Sequence, residues 1–453
     1  MNQTNTRPIL VSLFIALSMA MLALAILGLR PLGSEYWWHI GLGEFIATWQ
    51  RVPDQQLFLF TVDSELPWTF SSWMGALILY HLHYQAGAEL PLLIHNIFSA
   101  FSVALVAFFL SRRARPLSAV FIPAILLSLA FAFFTEVAPF SLSLPVFTAA
   151  FLVLSSLALS RGRIIAALFL PLSVAALANL DFPAAAIIAL LSLAVGLYAL
   201  FIARRRAEKP DQTSTITAAI ALTAPLGLFA FAYGPSHLPV ALSQALAAPA
   251  QILVAISLCA TLALAAAISN LLSDTAARKT APKLLIAVGF LIVSTLAVML
   301  QPGVPTRATI LPYLNHDLRT EVPLAGTMSR DFPLRCAEEL NRLGRPLQLF
   351  HDERHAGFLL YHLFDARRPE PLLFQDQRGL LSPEIEALIP LFKTDPIARG
   401  VFQQMNVTAV VVHPDEYPAL ITDLEASPQW TNLDEYLNDG FACFIPVSWA
   451  PSD

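Results

Sequence analysis

Nine apolar runs fill the chain as far as Pro302, and none of similar length follows. They are Ile9–Leu29, Leu90–Leu110, Leu117–Phe134, Phe140–Ser160, Ile164–Leu180, Pro183–Ala203, Thr213–Phe231, Ala250–Leu272 and Leu284–Gln301. Each approaches the roughly 20 residues that a helix needs to cross a hydrocarbon core. In lipid the backbone must satisfy its own polar groups, so such runs fold as helices. Only 13% of the 453 residues are charged, against 56% hydrophobic. A wholly soluble surface needs about 25–35% charged residues, so that class is excluded. The expected fold is mainly α: a polytopic helical membrane domain over 1–303, then a small soluble α/β domain over 304–453.

The few charges are sorted. Before Pro302 stand 15 of the 27 Lys and Arg but only 11 of the 32 Asp and Glu. The balance is therefore +4 in that part and −9 beyond it. Basic clusters lie at Arg112/Arg113/Arg115, Arg161/Arg163, Arg204/Arg205/Arg206/Lys209 and Arg278/Lys279/Lys283. With nine spans and a cytoplasmic N-terminus, all four clusters fall inside, as the positive-inside rule requires. Arg30 and Arg51 then fall outside, together with Glu35, Glu44, Asp54, Asp63, Glu65, Glu89, Glu136 and Asp181. The apolar stretch Ser71–Tyr84 carries His81 and His83 and is short. A span there would reverse every basic cluster, so it reads as an interfacial helix in an external loop over 30–89. The first run reads as a retained anchor, although Ala23-Leu24-Ala25 has the small-x-small form of a cleavage site. A net charge of −5 gives no pull towards nucleic acid.

Beyond Pro302, short apolar strands alternate with helical segments. Strands are predicted at Leu347–Phe350, Leu372–Gln375, Ala409–His413 and Phe441–Val447. Helices are predicted at Leu334–Leu343, Ala356–Phe364, Pro383–Phe392, Pro396–Met405 and Tyr417–Ala426. This order implies a small α/β layer. No dinucleotide fingerprint or P-loop is present. The topology makes the domain extracytoplasmic, where a disulfide between Cys336 and Cys443 is permitted, but spacing leaves the pairing open. Cys259, inside a span, reads as a small apolar filler. In His351-Asp352-Glu353-Arg354-His355 the Glu is one place too late for a zinc-protease helix, so no metal is expected there. Asp376 and Arg378 read as a structural ion pair or turn.

The first external loop holds the most chemistry. It reads Gly33-Ser34-Glu35-Tyr36-Trp37-Trp38-His39-Ile40-Gly41-Leu42-Gly43-Glu44, then Pro53-Asp54, Phe60-Thr61, Pro67-Trp68 and Ser72-Trp73. An interfacial aromatic belt accounts for the tryptophans but not for the acid just before them. A carboxylate beside aromatic rings at the external membrane face suits transfer from a lipid-linked sugar. It can act as general base on an acceptor hydroxyl, while the departing phosphate needs a basic or metal partner.

At these residues the sequence resembles the GT-C class of integral-membrane glycosyltransferases, in particular an uncharacterised bacterial branch with a soluble C-terminal domain. The resemblance rests on the acid-x-Trp-Trp-His opening, Gly43, Pro53-Asp54 and Pro67-Trp68. It extends to Ala178-Asn179-Leu180-Asp181, where Leu177 and Asp181 stand in place of the usual aromatic and His. In the tail it touches Phe332-Pro333, Gly357-Phe358-Leu359, Phe374-x-Asp376-x-Arg378 and Val407–Val412. It implies two juxtamembrane helices in the first loop, a polyprenyl-phosphate sugar donor and a bacterial inner-membrane location with membrane lipid as a partner. It also implies a catalytic acid at Glu35, where Asp is usual, acting as base or as ligand of a divalent metal ion. Asp181 and Glu136 follow as further acids. Trp37, Trp38, His39, Arg30, Arg51, Asp54, Trp68 and Asn179 are the candidate substrate contacts, the two arginines for the donor phosphate. Simpler roles stand beside these: Asp181 as a helix N-cap, Glu136 as a marker of the water interface, and His39 as a packed residue. A non-catalytic scaffold of envelope-polysaccharide assembly and a lipid or glycolipid transporter are the alternatives. The oligomeric state is left open.

Overall fold

The structure, a computed structural model, describes residues 8–27, 32–53, 57–62, 72–113, 117–134, 137–158, 163–205, 212–230, 249–271, 332–364, 372–375, 381–395, 398–433 and 440–450. Arg30, Asp54, Trp68, Glu136, Asp376, Arg378 and the run Leu284–Gln301 lie outside them. In chain order the helices of the apolar part are α1 (Ile9–Leu27), α2 (Ser34–Trp49), α3 (Trp73–Ala86), α4 (Glu89–Ser111), α5 (Ser118–Phe134), α6 (Pro139–Ala158), α7 (Arg163–Leu180), α8 (Phe182–Arg205), α9 (Gln212–Thr223) and α10 (Pro249–Leu271). The later elements are α11 (Leu334–Leu343), β1 (Leu349–His351), α12 (Ala356–Leu363), α13 (Pro383–Glu386), α14 (Leu388–Thr394), α15 (Ala398–Gln404), β2 (Ala409–Val412), α16 (Pro418–Glu425), β3 (Trp430–Asn432) and β4 (Ala442–Pro446).

The chain divides into two compact units, and the division departs from a simple cut after the apolar runs. One unit is Met1–Arg30 with Ala88–Ala325; the other joins Pro31–Gly87 to Gly326–Asp453. The segment Pro31–Gly87 therefore folds with the C-terminal segment.

In the helical unit, small residues share the interior with larger apolar ones such as Phe131, Leu144 and Phe147. Ala100, Ala107, Ala124, Ala150, Ala178, Ala184 and Ala189 are buried, while Leu10, Phe14, Leu168, Leu172 and Tyr198 point outwards. Small side chains let helices approach closely when lipid removes any hydrophobic drive between them. Hydroxyls in these helices turn back on the preceding turn: Ser102 to Phe98 O and Ser128 to Ala124 O, both at 2.8 Å. Nine runs predict nine spans. Among the described residues, three helices are long and apolar enough to cross a membrane: Glu89–Ser111, Pro139–Ser156 and Phe182–Phe201. Ile9–Ala25, Ser118–Phe131, Leu168–Leu180, Ala219–Leu228 and Ile252–Ile268 are apolar but shorter. Most of the Ser71–Tyr84 stretch lies in α3, whose 14 residues fall well short of the roughly 20 a span requires.

The second unit is built on a sheet of order β1-β2-β4-β3, with β1 parallel to β2 and the other pairs antiparallel. Val410, Val412, Ala442, Phe444 and Phe350 share a core with Phe392, Phe402, Leu420 and Leu424 from α14, α15 and α16. α11 is tied to β4 by the Cys336–Cys443 disulfide. The first loop reaches the β1 edge: Leu373 bridges to Leu349 on one side and to Leu59 on the other, both parallel. Phe60 N–H donates to Leu373 O at 3.1 Å, Leu373 N–H to Phe58 O at 2.8 Å, and Thr61 Oγ1 to Phe374 O at 2.6 Å.

Two expectations change here. Leu372–Gln375 makes bridges on both sides and no strand of its own, while β3, which lacks an apolar run, is a strand held at the edge. The helix predicted over Pro383–Phe392 is two helices, because Pro390 has no N–H to donate back towards Glu386.

Candidate functional site

α2 sits between two helices of its own unit, and its glycines show how. Successive residues on a helix turn by about 100°, so Gly41 and Gly43 face nearly opposite ways. A Cβ on Gly43 would lie 2.4 Å from Ala76 O of α3; one on Gly41 would lie 3.3 Å from Leu360 of α12. Between these faces, Tyr36, Ile40 and Glu44 repeat every four residues along α2. This row looks into the groove where α3 and α12 meet it.

His83 of α3 is the hub of that groove. Its Nδ1 is 2.6 Å from the Tyr36 hydroxyl and its Nε2 is 3.0 Å from the Tyr361 hydroxyl. Burial lowers the His83 pKa, so the ring is held neutral. A neutral imidazole offers one donor and one acceptor. Tyr36 is fully buried, and its O–H must find an acceptor; among the described residues, His83 Nδ1 is the partner it meets. By that assignment Nε2 carries the proton and donates to Tyr361 Oη. The Tyr361 O–H is then free to donate onward. Burial first, and the nearby Glu44 charge second, push the Tyr361 and Tyr80 hydroxyls up, so both remain protonated donors.

Trp37 is 1% exposed. Its ring contacts Phe358 at 5.5 Å, Tyr361 at 5.2 Å and His362 and His83 at 5.8 Å. It is a core residue joining α2, α3 and α12. Its Nε1 is buried with no partner among the described residues, as are His362 Nε2 and His39 Nδ1. Trp38 packs edge-on to Phe58 at 5.5 Å. His39 is half-buried, and burial pushes it down to about 3. Arg51 is exposed, its guanidinium 5.7 Å from the Trp49 ring.

Glu35 is exposed in the first turn of α2, where an acid also complements the helix dipole. Asp181 belongs to the other unit. It is fully buried at the junction of α7 and α8, and its carbonyl accepts from Ala185 N–H at 3.2 Å. That backbone pattern is an N-cap. Asn179 is half-buried, and its Nδ2 donates to Ala175 O at 3.4 Å, back along its own helix. Glu35 and Asp181 are thus in different units, and Glu136 lies outside the described residues. Among the described residues no cluster of three or more His, Cys, Asp or Glu could hold a metal ion. In the zinc-like segment, Asp352 Oδ1 instead accepts from Arg354 N at 2.9 Å, and Arg354 pairs with both Asp352 and Glu416.

Sequence reasoning selected Tyr36's neighbours and passed over Tyr36, His83, Tyr361 and Glu44. The available signal was the four-residue repeat of Tyr36, Ile40 and Glu44 on a segment read as helical. The Tyr361 contact, 278 positions from His83, leaves no local trace.

The half-buried histidines give the unit an acid sensitivity with a definite sign. His39 is lowered to about 3, His362 to about 4, and His83 is also lowered, in each case chiefly by burial. Unfolded histidines titrate near 6.5. The unfolded chain therefore binds more protons below that pH, and stability present above about 6.5 is lost as pH falls towards 4. Denaturant midpoints of the second unit should drop between pH 7 and pH 5, with a smaller drop in His362→Gln. Equal midpoints at the two pH values would refute this.

No protein-family model matches the chain, and no curated protein matches it in sequence.

Proposed function

We propose that this is a membrane glycosyltransferase of the GT-C type, moving a sugar from a polyprenyl-phosphate donor to an envelope acceptor at the external membrane face. One observation carries the reading. Glu35 is an exposed carboxylate in the first turn of a helix whose next residues, Tyr36 and Trp37, are fully buried. Burial of those two rings anchors the backbone that carries the acid, which supports its use as a general base. The Cys336–Cys443 disulfide supports an oxidising, extracytoplasmic setting for the second unit. The nine-span topology with a cytoplasmic N-terminus, in a bacterial inner membrane, belongs to the same proposal. In it Glu136, Asp54, Trp68 and the donor-phosphate arginines Arg30 and Arg51 keep their proposed roles.

A positioned base contributes about 10²–10⁴-fold to such a step. Glu35→Gln should therefore cut transfer from a polyprenyl-phosphate hexose by at least ~100-fold in membranes, with the protein level unchanged. Undiminished transfer in that variant removes the assignment. A second reading, a non-catalytic scaffold of the same shape, is favoured by Asp181. That acid is fully buried at a helix junction, which suits an N-cap better than a reacting group.

A further inference from the structure

We propose that the junction of α2, α3 and α12 is an acid-released latch: a proton taken up by His83 breaks its bond with Tyr36 and parts α3 from α2 while the sheet stays folded. The proposal does not depend on the transfer reading, because the opening is read in the backbone and not in turnover.

The latch is a relay of three side chains on three helices. Tyr36 of α2 meets His83 Nδ1 at 2.6 Å, and His83 Nε2 meets Tyr361 of α12 at 3.0 Å. With the ring neutral, Tyr36 donates to Nδ1 and Nε2 donates to Tyr361. Nε2 already carries its proton, so an added one goes to Nδ1, which then ceases to accept. Tyr36 is fully buried, so its O–H cannot turn to water, and a buried donor without an acceptor is costly. Parting the helices relieves that cost. His39 and His362 differ from His83. Their buried nitrogens, His39 Nδ1 and His362 Nε2, meet no partner among the described residues, so a proton there breaks no bond between helices.

The groups around His83 fix the direction. On α2 they are Tyr36, His39 and Glu44, with Glu35 exposed in the first turn; on α12, Tyr361 and His362; on α3 itself, Tyr80, His81 and Tyr84. Burial pushes the Tyr36, Tyr80 and Tyr361 hydroxyls up, so they stay protonated throughout the acid range. The Glu44 charge, which reaches Tyr361 and Tyr80, favours an imidazolium. So does the helix dipole, because His83 lies in the last turn of α3. His362 opposes it: the two histidines flank Trp37, each 5.8 Å from that ring. Burial is what keeps His83 neutral, and opening removes the burial. The open form therefore binds the proton more readily than the closed one, and acid shifts the balance towards it.

The test is hydrogen–deuterium exchange of the full chain in nanodiscs between pH 7 and pH 5, corrected for the intrinsic pH dependence of exchange. Amides of α3 should open roughly tenfold more for each pH unit below about 6.5, until the closed ring itself titrates. Amides of β2 and β4 should hold. His83→Gln keeps an acceptor for Tyr36 and a donor for Tyr361 but takes up no proton, so its α3 exchange should lose that tenfold rise. His362→Gln should keep it. Tyr36→Phe removes the bond that favours the neutral ring, so the His83 ¹³C resonance should titrate at higher pH and the rise should level off sooner as pH falls. If His83→Gln does not fold, Tyr36→Phe decides alone: an unchanged pH dependence there overturns the proposal. It also fails if the wild type shows no rise, if α3 and the sheet open together, or if the rise survives in His83→Gln.

Discussion

Replacing Cys336 and Cys443 together by alanine should destabilise the second unit by about 4–5 kcal/mol on the chain-entropy account of disulfides. The two cysteines are 107 positions apart, and closing a loop of that length is where the entropy removed from the unfolded chain is greatest. The crosslink joins α11 to β4, and both sulfur-bearing residues are fully buried. Each substitution also removes a buried atom that neighbouring side chains must close over, which adds to the loss. The measurement is a denaturant transition of the full chain followed by tryptophan fluorescence. Five of the seven tryptophans of the chain lie in segment 37–73 and two lie after 429, so the signal reports mainly on this unit. A midpoint that does not move would mean that the unfolded chain already holds the two segments together.

How much of this was legible depends on whether a signal is local. The strand and helix pattern after Leu334 was readable because period and capping are local: Leu334–Leu343 is a helix, as predicted, and Ala409–Val412 a strand. Helix character in the described apolar runs was equally plain. Membership of units was not. Residues Leu59 and Leu373 bridge across more than three hundred positions, and the first loop looked like an appendage of the membrane part because its neighbours in sequence are apolar. The same holds at the site. The acid-x-Trp-Trp-His opening drew attention to α2, yet the sequence could not say that Trp37 would be buried against Phe358 while Glu35 stayed exposed. Those outcomes were decided by α12, which arrives from the far end of the chain.

Gly43→Ala should clearly destabilise the second unit, and Gly41→Ala, two residues away, should be nearly neutral. Both exchanges gain about 1 kcal/mol of intrinsic helix propensity, so the contrast isolates packing. At Gly43 the added Cβ would lie 2.4 Å from Ala76 O, 2.5 Å from Tyr80 Cβ and 2.9 Å from the Ala76 carbonyl carbon. Two of these atoms are backbone and cannot swing aside, so α3 must move away from α2. Overpacking of this kind typically costs about 1–3 kcal/mol and sometimes more. The same movement lengthens the Tyr36–His83 bond, because one partner is on each helix. At Gly41 the Cβ would meet Leu360 Cγ and Cδ2 at 3.3 Å, and a leucine side chain can yield by a few tenths of an ångström. Denaturant midpoints should therefore fall clearly in Gly43→Ala and stay near wild type in Gly41→Ala. The His83 resonances should shift only in the former. Equal midpoints for the two variants would mean that α3 does not pack on α2 through Gly43. The His83 relay would then lose the contact that brings Tyr36 within reach of its ring.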